Sequence, residues 1–568
     1  MKRFALIVVA LAAVLAAVII LLLPAATSPG LAADFRPAWP VARGAYHVHS
    51  ERSDGTGTVD EIAAAASRAG LHFVILTDHG DGTGIPQPPA YRSGVLCLDG
   101  VEISTDHGHY VALGLSRTPY PLAGHARDVL EDVRRFGGVG FVAHPGSPKR
   151  DLQWADWDAP FDGLEWLNAD SEWRDEFWGS LGGVLLTYPI RPVETLAGLL
   201  DRPEPVLEQW DRLALTRRVP GLAGADAHAR LGLLQRSDPY DDRVLARLPA
   251  YEVSFRAFVN HVILDGPMTG DAAADADLVL AGIREGRVFT SIDGLAGLTA
   301  FEARASSGQG IARPGEYLDF HGSAAIEATI TAPAGTTLAV VRDGQRLYET
   351  QEQALRVDVG RTAGAYRIEA DLPSAGATAS VPWLLTNPIY VGLRDVHARA
   401  LANDEAPAAT SRSAVATAAW VAEASADSTS ALRAMTMGDG TPALEWQFTI
   451  AGGTREGQYA AMRFPIEAGL GSHDRLHLRA RSDGPRRVSA QLRASGSIEG
   501  ERWGRSFYLD DTLRSVELRF ADFHPIGRVS SASTPLERVD ALLLVIDTVN
   551  TVPGAAGRIA ITDLWLAR

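Results

Sequence analysis

Apolar and polar positions alternate in blocks along the region that begins near residue 40. Short apolar runs, bounded by turn residues, predict strands, and longer stretches with apolar residues at helical spacing predict helices. The predicted strands are Phe73–Leu76 and 139–143. The predicted helices are 58–69, 125–136 and 276–286, the last of which precedes Arg287-Val-Phe-Thr290, and 196–217 is expected to be mostly helix. Thr58 or Asp60 is a candidate cap for the first helix. Strands that alternate with helices predict an α/β domain.

The pattern changes after residue 297 to short runs of Thr, Val, Ala and Gly. Runs at 337–341, 355–359 and 364–370, joined by turns such as Arg342-Asp-Gly-Gln345, predict a small β-sandwich over 298–398. Residues 399–415, rich in Ala, Ser and Thr, are expected to be a linker. A second β domain is expected over 416–568, with strands at 476–481, 487–492, 515–520, 541–546 and 557–566. Its last run resembles the final strand of galactose-binding-like jelly rolls, and this resemblance implies either glycan binding or packing against a partner.

The amino terminus carries a targeting segment over residues 1–33. Lys2 and Arg3 precede an unbroken apolar run over 4–23, which as a helix can span a bilayer. The run is longer than the apolar part of most signal peptides, which favours an uncleaved anchor. Cleavage near 24–26 or 31–33 is the alternative. Both interpretations predict that the rest of the chain is extracytoplasmic, either membrane-anchored or secreted, in the periplasm or at the cell exterior.

Length and charge narrow the function classes. A chain of 568 residues is expected to hold about three or four domains. The net charge of −16 argues against a broad nucleic-acid-binding surface, because such a surface is basic. Cys97 is the only cysteine, so the chain has no internal disulfide.

Histidines and carboxylates stand near the ends of the predicted strands. His47 and His49 are two residues apart, so in a strand they point to one face and reach one ion. Further candidates are Asp54, His79, Glu102, His109, His144, Asp226 and His228. His107 competes with His109, which directly precedes an apolar run. Imidazole and carboxylate donors without thiolate suit Zn, Mn or Fe.

These motifs resemble the polymerase and histidinol phosphatase (PHP) domain. His-x-His-Ser, Ser-Asp-Gly55, Thr-Asp-His79, Gly-x-Glu102, Ala-His144-Pro and Asp226-x-His228 occur in the family's order, over about residues 43–295. The resemblance implies a distorted (β/α)7-type TIM-like barrel over 34–297, with two or three divalent metal ions at its mouth. It implies one ion held by His47, His49, Glu102 and Asp226. A second would be held by Glu102, His109 and His144, and a third by Asp54, His79 and His228.

Other residues near the motifs have more than one interpretation. Arg52, Lys149 and Arg150 are candidates for binding phosphate, or they are ordinary solvated charges. Glu165 ends an apparent strand and either lines the mouth or supports a ligand. The tryptophans between 154 and 178 form the packing of an inserted cap or stack on a substrate ring.

The sequence therefore predicts an extracytoplasmic metal-dependent hydrolase, most simply a phosphoesterase in which metal ions activate water. Asp226 or His228 would move the proton. Its expected substrate is a phosphorylated small molecule or a phosphodiester, with a possible glycan at the C-terminal domain. A surface-attached glycan- or ligand-binding protein with a non-catalytic metal-retaining barrel is the first alternative. Hydrolysis of a non-phosphate bond, such as an amide or lactone, is the second.

Overall fold

A computed structural model describes most of the chain. The described residues are 2–174, 178–230, 247–308, 310–319, 322–373, 381–394, 412–414, 419–454, 457–496, 498 and 500–568. Most of the predicted linker over 399–415 lies outside them. By its internal contacts the chain divides into two compact units. Unit 1 comprises Met1–Gly80, Ile85–Ser116 and Leu130–Asn403, and unit 2 comprises Asp81–Gly84, Arg117–Val129 and Asp404–Arg568.

Unit 1 contains a mixed barrel of seven strands with helices around it. The strands of the barrel region are β1 (Val41–Val48), β2 (Phe73–Leu76), β3 (Ala90–Arg92), β4 (Val95–Thr105), β5 (Gly108–Leu113), β6 (Val139–Val142), β7 (Gly163–Asn168), β8 (Gly221–Ala227), β9 (Val259–Ile263) and β10 (Val288–Ser291). The helices are α1 (Lys2–Leu22), α2 (Val59–Arg68), α3 (Ala126–Arg135), α4 (Ala169–Arg174), α5 (Trp178–Thr187), α6 (Pro192–Ala197), α7 (Glu204–Ala214), α8 (Tyr251–Ala257) and α9 (Ala272–Arg284). Residues 126–129 of α3 belong to unit 2.

The barrel closes through the pairing of β8 with β1. Its order is β1-β2-β4-β5-β6-β7-β8, and all of these pairings are parallel except those of β5 with β4 and β6. Fully buried side chains such as Phe73, Val111, Phe141 and Leu222 form its hydrophobic core. Runs that are apolar at every position are expected where both faces of a strand are covered. The carboxyl ends of the parallel strands meet at one end of the barrel, which is called the mouth below.

The local predictions in this region are mostly confirmed. Thr58 caps α2 through a capping box, since its hydroxyl accepts from Glu61 N–H and the Glu61 carboxylate accepts from Thr58 N–H. The expectation that 196–217 is mostly helix is confirmed, but the helical residues belong to two helices. The helix α6 ends at Ala197 with Gly198 as its C-cap, and α7 begins after Pro203, which lacks the N–H that a continuous helix requires.

Antiparallel β sheets follow the barrel in unit 1. Their strands are β11 (Phe301–Ser307), β12 (Gly310–Ala312), β13 (Tyr317–Leu318), β14 (Ala324–Ile330), β15 (Thr337–Arg342), β16 (Gln345–Thr350), β17 (Ala354–Gly360), β18 (Gly364–Asp371), β19 (Leu384–Thr386) and β20 (Ile389–Val391). The strands β12-β11-β14-β17 form one antiparallel sheet. β15, β16, β18, β19, β20 and β13 continue the barrel sheet through β10. Positive φ angles at Asp343 and Gly344 form the predicted turn between β15 and β16.

Unit 2 is built from two antiparallel sheets. Its strands are β21 (Arg412–Ala414), β22 (Val421–Ala424), β23 (Thr429–Thr436), β24 (Pro442–Thr449), β25 (Tyr459–Pro465), β26 (Arg475–Ser482), β27 (Arg486–Ala494), β28 (Glu501–Leu509), β29 (Arg514–Arg519), β30 (His524–Ile526), β31 (Val539–Asp547) and β32 (Ala556–Ala567). One sheet has the order β23-β24-β32-β26-β29, with β21 beside β32, and the other β22-β25-β31-β27-β28-β30. The alternate apolar residues of both sheets, including Trp446, Leu478, Trp503 and Leu544, pack into one core.

The N-terminal apolar run forms α1, and its apolar side chains are largely exposed. Residues 3–22 of this helix are long and apolar enough to cross a membrane. These properties fit either a signal sequence or an anchor.

Candidate metal centre

The mouth of the barrel brings all nine predicted ligands together. Their donor atoms form four groups, in each of which the atoms lie within 4.8 Å of one another. These groups are His49, Asp54, His79 and His228; His47, Glu102 and His144; His47, His49 and Asp226; and His79, Glu102 and His109. Several residues belong to two groups, so the cluster is continuous. The grouping differs from the resemblance in three respects. His49 also lies with Asp54, His79 and His228. His79 also lies with Glu102 and His109, and His144 lies with His47 and Glu102.

Three of these side chains are oriented by an irregular backbone conformation. The register of β1 shifts between Ala45 and Val48, so a bulge interrupts the regular alternation on which the sequence argument for His47 and His49 relied. His47 (φ 64°), His144 (φ 31°) and Asp226 (φ 44°) have positive φ values. Such a conformation costs a non-glycine residue on the order of 1–3 kcal/mol and is concentrated at functional sites.

Glu102 lies at the middle of the cluster and is almost fully buried. Its Oε2 is 3.2 Å from Nε2 of both His47 and His49. Its Oε1 is 2.7 Å from His109 Nδ1 and 2.9 Å from His144 Nε2. The two oxygens thus face different histidines, as a carboxylate that bridges two ions requires. His107, the alternative to His109, contacts Asp106 instead.

The carboxylates and imidazoles stabilise each other's charge. Burial disfavours ionisation of Glu102, but His47, His109 and His144 outweigh it and hold the pKa of Glu102 well below its ordinary value. Burial likewise opposes a charge on His144, yet mainly Glu102 raises the pKa of His144 to about 9. Buried charges in proteins are paired or bind metals, so this environment favours cations.

Asp54 reaches the cluster from the loop after β1. Its Oδ2 is 3.2 Å from His228 Nε2 and 3.7 Å from His79 Nε2. Burial would raise the pKa of Asp54, but the imidazoles of His228 and His79 lower it far below its ordinary value. Opposing its burial, Asp54 and Asp226 raise the pKa of His228 to about 10.

Two residues that the sequence argument missed hold this loop. Asp78 accepts from Ser50 N–H at 2.7 Å and from the Ser53 hydroxyl at 2.7 Å. The Tyr251 hydroxyl donates to the His49 carbonyl oxygen at 2.8 Å. Asp78 lies between Thr77 and His79 in one of the recognised motifs, which is a signal for its importance. Tyr251 is distant in sequence and had no such signal.

Glu165 supports ligands from behind. Its Oε1 is 2.5 Å from His47 Nδ1, and its Oε2 accepts from His144 N–H at 2.8 Å and from Asn168 Nδ2 at 2.7 Å. Of the two interpretations of Glu165, the structure favours the support of a ligand. A carboxylate on Nδ1 orients the ring and leaves Nε2 for an ion.

Gly224 makes room for this carboxylate. A Cβ at Gly224 would lie 2.6 Å from the Glu165 carboxyl carbon, which is too close for any side chain. The glycine two residues before Asp226 is therefore required by the packing of Glu165 in the next strand.

The donor set fits divalent ions. Among the described residues, His49 Nε2 is buried without a hydrogen-bond partner, although Glu102 Oε2 and Asp226 Oδ1 lie 3.2 and 3.4 Å from it. A nitrogen that faces two carboxylate oxygens at such distances suits a shared cation. Because all the donors are nitrogen or oxygen, Zn, Mn and Fe are chemically compatible.

The candidate phosphate-binding residues differ in their surroundings. Arg52 donates to Asp78 at 2.9 Å and to Asp99 at 2.8 Å, so carboxylates of the protein already engage its guanidinium. Lys149 is half-buried. Its burial, and to a smaller extent the charge of Arg174, lower the pKa of Lys149, whereas Asp170 and Asp226 act in the opposite direction. Arg150 is exposed. Phosphate binding by all three residues stays a prediction.

The tryptophans of the predicted cap are divided between two environments. Trp154 and Trp166 are buried, and therefore serve packing. Trp173 is half-buried, donates to Asp170 at 2.8 Å and has the Arg174 guanidinium over its ring at 5.3 Å. The side chain of Trp178 lies outside the described residues.

Comparison with known proteins gives structural similarity alone. No protein-family model matches the sequence, and no curated protein matches it. The chain is similar to a Bacteroides vulgatus two-domain protein containing a predicted PHP-like metal-dependent phosphoesterase, at 12% identity over 64% of this chain and 98% of that one, with a TM-score of 0.28. It is also similar to a family 11 carbohydrate-binding module of a Clostridium thermocellum cellulosomal cellulase, at 14% identity over 26% of this chain and 86% of that one, with a TM-score of 0.22. At such scores neither likeness carries an argument about chemistry, which rests on the geometry of the site.

Proposed function

We propose that the chain is an extracytoplasmic metal-dependent phosphoesterase that uses two or three divalent ions. The continuous cluster of nine nitrogen and oxygen donors at the barrel mouth carries this proposal. Divalent ions, when bound, neutralise the charge of a phosphate ester and lower the pKa of water. Several ions side by side suit phosphoester hydrolysis, because both the attacking and the leaving oxygen carry charge in the transition state.

The side chains of the chain divide the work of this reaction. His47, oriented by Glu165, presents Nε2 to the centre, and Glu102 joins neighbouring groups of donors. Asp226 or His228 moves a proton between water and the leaving oxygen. Lys149, which is half-buried and whose charge interacts favourably with that of Asp226, is the cation that we expect to bind a non-reacting phosphate oxygen.

The test is phosphate release by the full chain after metal loading. The substrate panel contains aryl phosphates, phosphodiesters, lactones and amides, and the metal content of each preparation is measured. Activity should disappear with a chelator and in His49→Ala and Asp226→Asn. His107→Ala is the matched control, because His107 lies two residues from His109 but outside the donor groups, so this variant should keep its activity. Cleavage of a lactone or amide without any phosphoester would replace the proposal with the other hydrolase class.

The second candidate function is ligand binding by unit 2. His477 on β26 and Trp565 on β32 stack at 4.1 Å on one of its sheets, and both are half-buried. An aromatic surface of this kind suits a sugar ring. A glycan array would support this function if Trp565→Ala lost binding. If the wild type and His49→Ala bound glycans equally and neither hydrolysed any substrate, a non-catalytic barrel would be favoured.

A further inference from the structure

The segment after α1 is attached to the barrel by hydrogen bonds. Arg191 Nη1 donates to the Pro24 carbonyl oxygen at 2.5 Å, and the Thr27 hydroxyl donates to the Gly294 carbonyl oxygen at 2.9 Å. Ser28 N–H donates to Leu295 O at 3.1 Å and Ser28 O accepts from Gly297 N–H at 2.9 Å. The end of α1 therefore has a defined position on unit 1.

This attachment lies at the mouth end of the barrel. β9 is antiparallel to β1, and β10 is antiparallel to β9, so β10 runs in the same direction as β1. The carboxyl end of β10 thus points to the same end as His47 and His49. Residues 294–297, which hold the segment after α1, follow β10 directly.

An apolar surface lies beside this attachment. Residues 178–190 contain no charged side chain, and α5, which they include, packs against α1. Leu185 is 73% exposed and Ile190 is 53% exposed. Together with the exposed Leu21 and Leu22 at the end of α1, they form what we call the mouth-side apolar patch. A patch of this kind marks an interaction surface.

The patch is also close to the metal centre. Tyr188, one residue after α5, accepts at its hydroxyl from Ala250 N–H at 3.3 Å. Tyr251, which follows Ala250 in the sequence, donates its hydroxyl proton to the carbonyl oxygen of His49 at 2.8 Å. Two hydrogen bonds and one peptide link thus connect the end of α5 with a candidate ligand.

We propose that the mouth-side apolar patch rests in the surface of the bilayer that α1 spans, and that the metal centre takes phosphoesters from lipid headgroups there. The bilayer is the partner of the patch because α1 is long enough to span a membrane and packs against α5. A bilayer that holds α1 therefore also lies against the exposed side chains of the patch. Aromatic and cationic residues favour the headgroup level, and Tyr188 and Arg191 border the patch. The choice of substrate, but not the docking, rests on the proposed phosphoesterase function.

Docking is tested by depth-dependent quenching in vesicles. The full chain is reconstituted in phosphatidylcholine vesicles, with a polarity-sensitive fluorophore on Ile190→Cys or Ile311→Cys. Ile311 is a matched control, because it is 56% exposed and lies near Trp39, which precedes β1 at the opposite end of the barrel. Burial raises the pKa of the Cys97 thiol to about 11, so this native cysteine does not compete for the label.

We expect doxyl-labelled lipid to quench the fluorophore at position 190 several-fold more than the one at position 311. Equal quenching would overturn the docking surface, whatever the activity. The N-terminus of the protein isolated from its native membrane is also determined. If it lay after residue 30, α1 would be absent and the docking surface would be overturned.

The substrate source is tested in the same vesicles. Phosphatidic acid within the bilayer is compared with soluble glycerol phosphate, and phosphate release is measured. Phosphatidic acid should react several-fold faster, and Leu185→Glu should remove this preference, whereas the exposed control Leu347→Glu should keep it. Equal rates on both compounds would overturn the headgroup source. If neither compound nor any other phosphoester were cleaved while position 190 was still quenched, the phosphoesterase function would fail and the docking would stand.

Discussion

Replacing Glu165 by glutamine preserves the size of this side chain but removes its charge and one of its acceptor oxygens. In the wild type, one oxygen is bonded to His47 Nδ1 and the other accepts from His144 N–H and Asn168 Nδ2. A glutamine oxygen can occupy only one of these positions. The amide NH2 then faces a donor at the other position, so either His47 Nδ1 or His144 N–H loses its hydrogen bond to residue 165.

The expected magnitude follows from these contacts. Loss of a hydrogen bond to a charged group costs about 1.5–3 kcal/mol. Substitution of a group that orients a metal-binding histidine weakens metal affinity about 10–100-fold. This loss of affinity corresponds to about 1.4–2.7 kcal/mol of binding free energy, which agrees with the loss of one such bond. We therefore expect Glu165→Gln to fold and to bind metal about 10–100-fold more weakly.

The assay is a metal titration against a chromogenic chelator, with thermal unfolding of the metal-free protein beside it. Glu369→Gln is the matched control, because Glu369 is fully buried and accepts from Arg202 and Arg367 rather than from histidine. That variant should lose stability and keep the metal affinity of the wild type. A Glu165→Gln titration that superimposed on the wild type would refute the role of Glu165 in orienting His47.

Three further predictions concern the same centre. Gly224→Ala should displace Glu165 and reduce the rise in melting temperature that metal produces, whereas Gly266→Ala, where a Cβ meets open space, should keep it. In the metal-free protein, neighbouring carboxylates overcome burial and raise the pKa of His144 to about 9 and of His228 to about 10, so both are charged at pH 7 and must lose protons when metal binds. Apparent metal affinity should therefore rise with pH up to about 10, and an indicator dye should detect proton release at pH 7; no release would contradict this account. Tyr251→Phe should lower the free energy of unfolding in urea by about 1–3 kcal/mol, because the His49 carbonyl oxygen loses a buried donor and the N–H groups of Thr56 and Gly57 lose their acceptor; an unchanged midpoint would contradict this role of the hydroxyl.

The local elements were largely predictable because their signals lie within a few residues. The capping pair Thr58 and Glu61 and the apolar run Phe73–Leu76 each specify their own structure. The expectation of a mostly helical segment over 196–217 did not include the break between α6 and α7, where Gly198, Asp201-Arg202 and Pro203 interrupt the apolar pattern. The closure of the barrel by β8 and β1 has no local signal, since it joins segments that are about 180 residues apart.

The candidate ligands could be identified along the chain because imidazole and carboxylate groups near strand ends are a chemical pattern as well as a structural one. Their residue types, their order and the apolar helix before them can all be seen in the printed sequence. The bulge at His47, the carboxylate of Glu165 behind it and the clearance at Gly224 come only from packing between strands. The same holds for the position of the mouth beside the end of α1, which depends on hydrogen bonds between residues more than 150 positions apart. The types and order of the candidate ligands can therefore be found in the sequence. The orientation of each side chain depends on segments that only folding brings into contact.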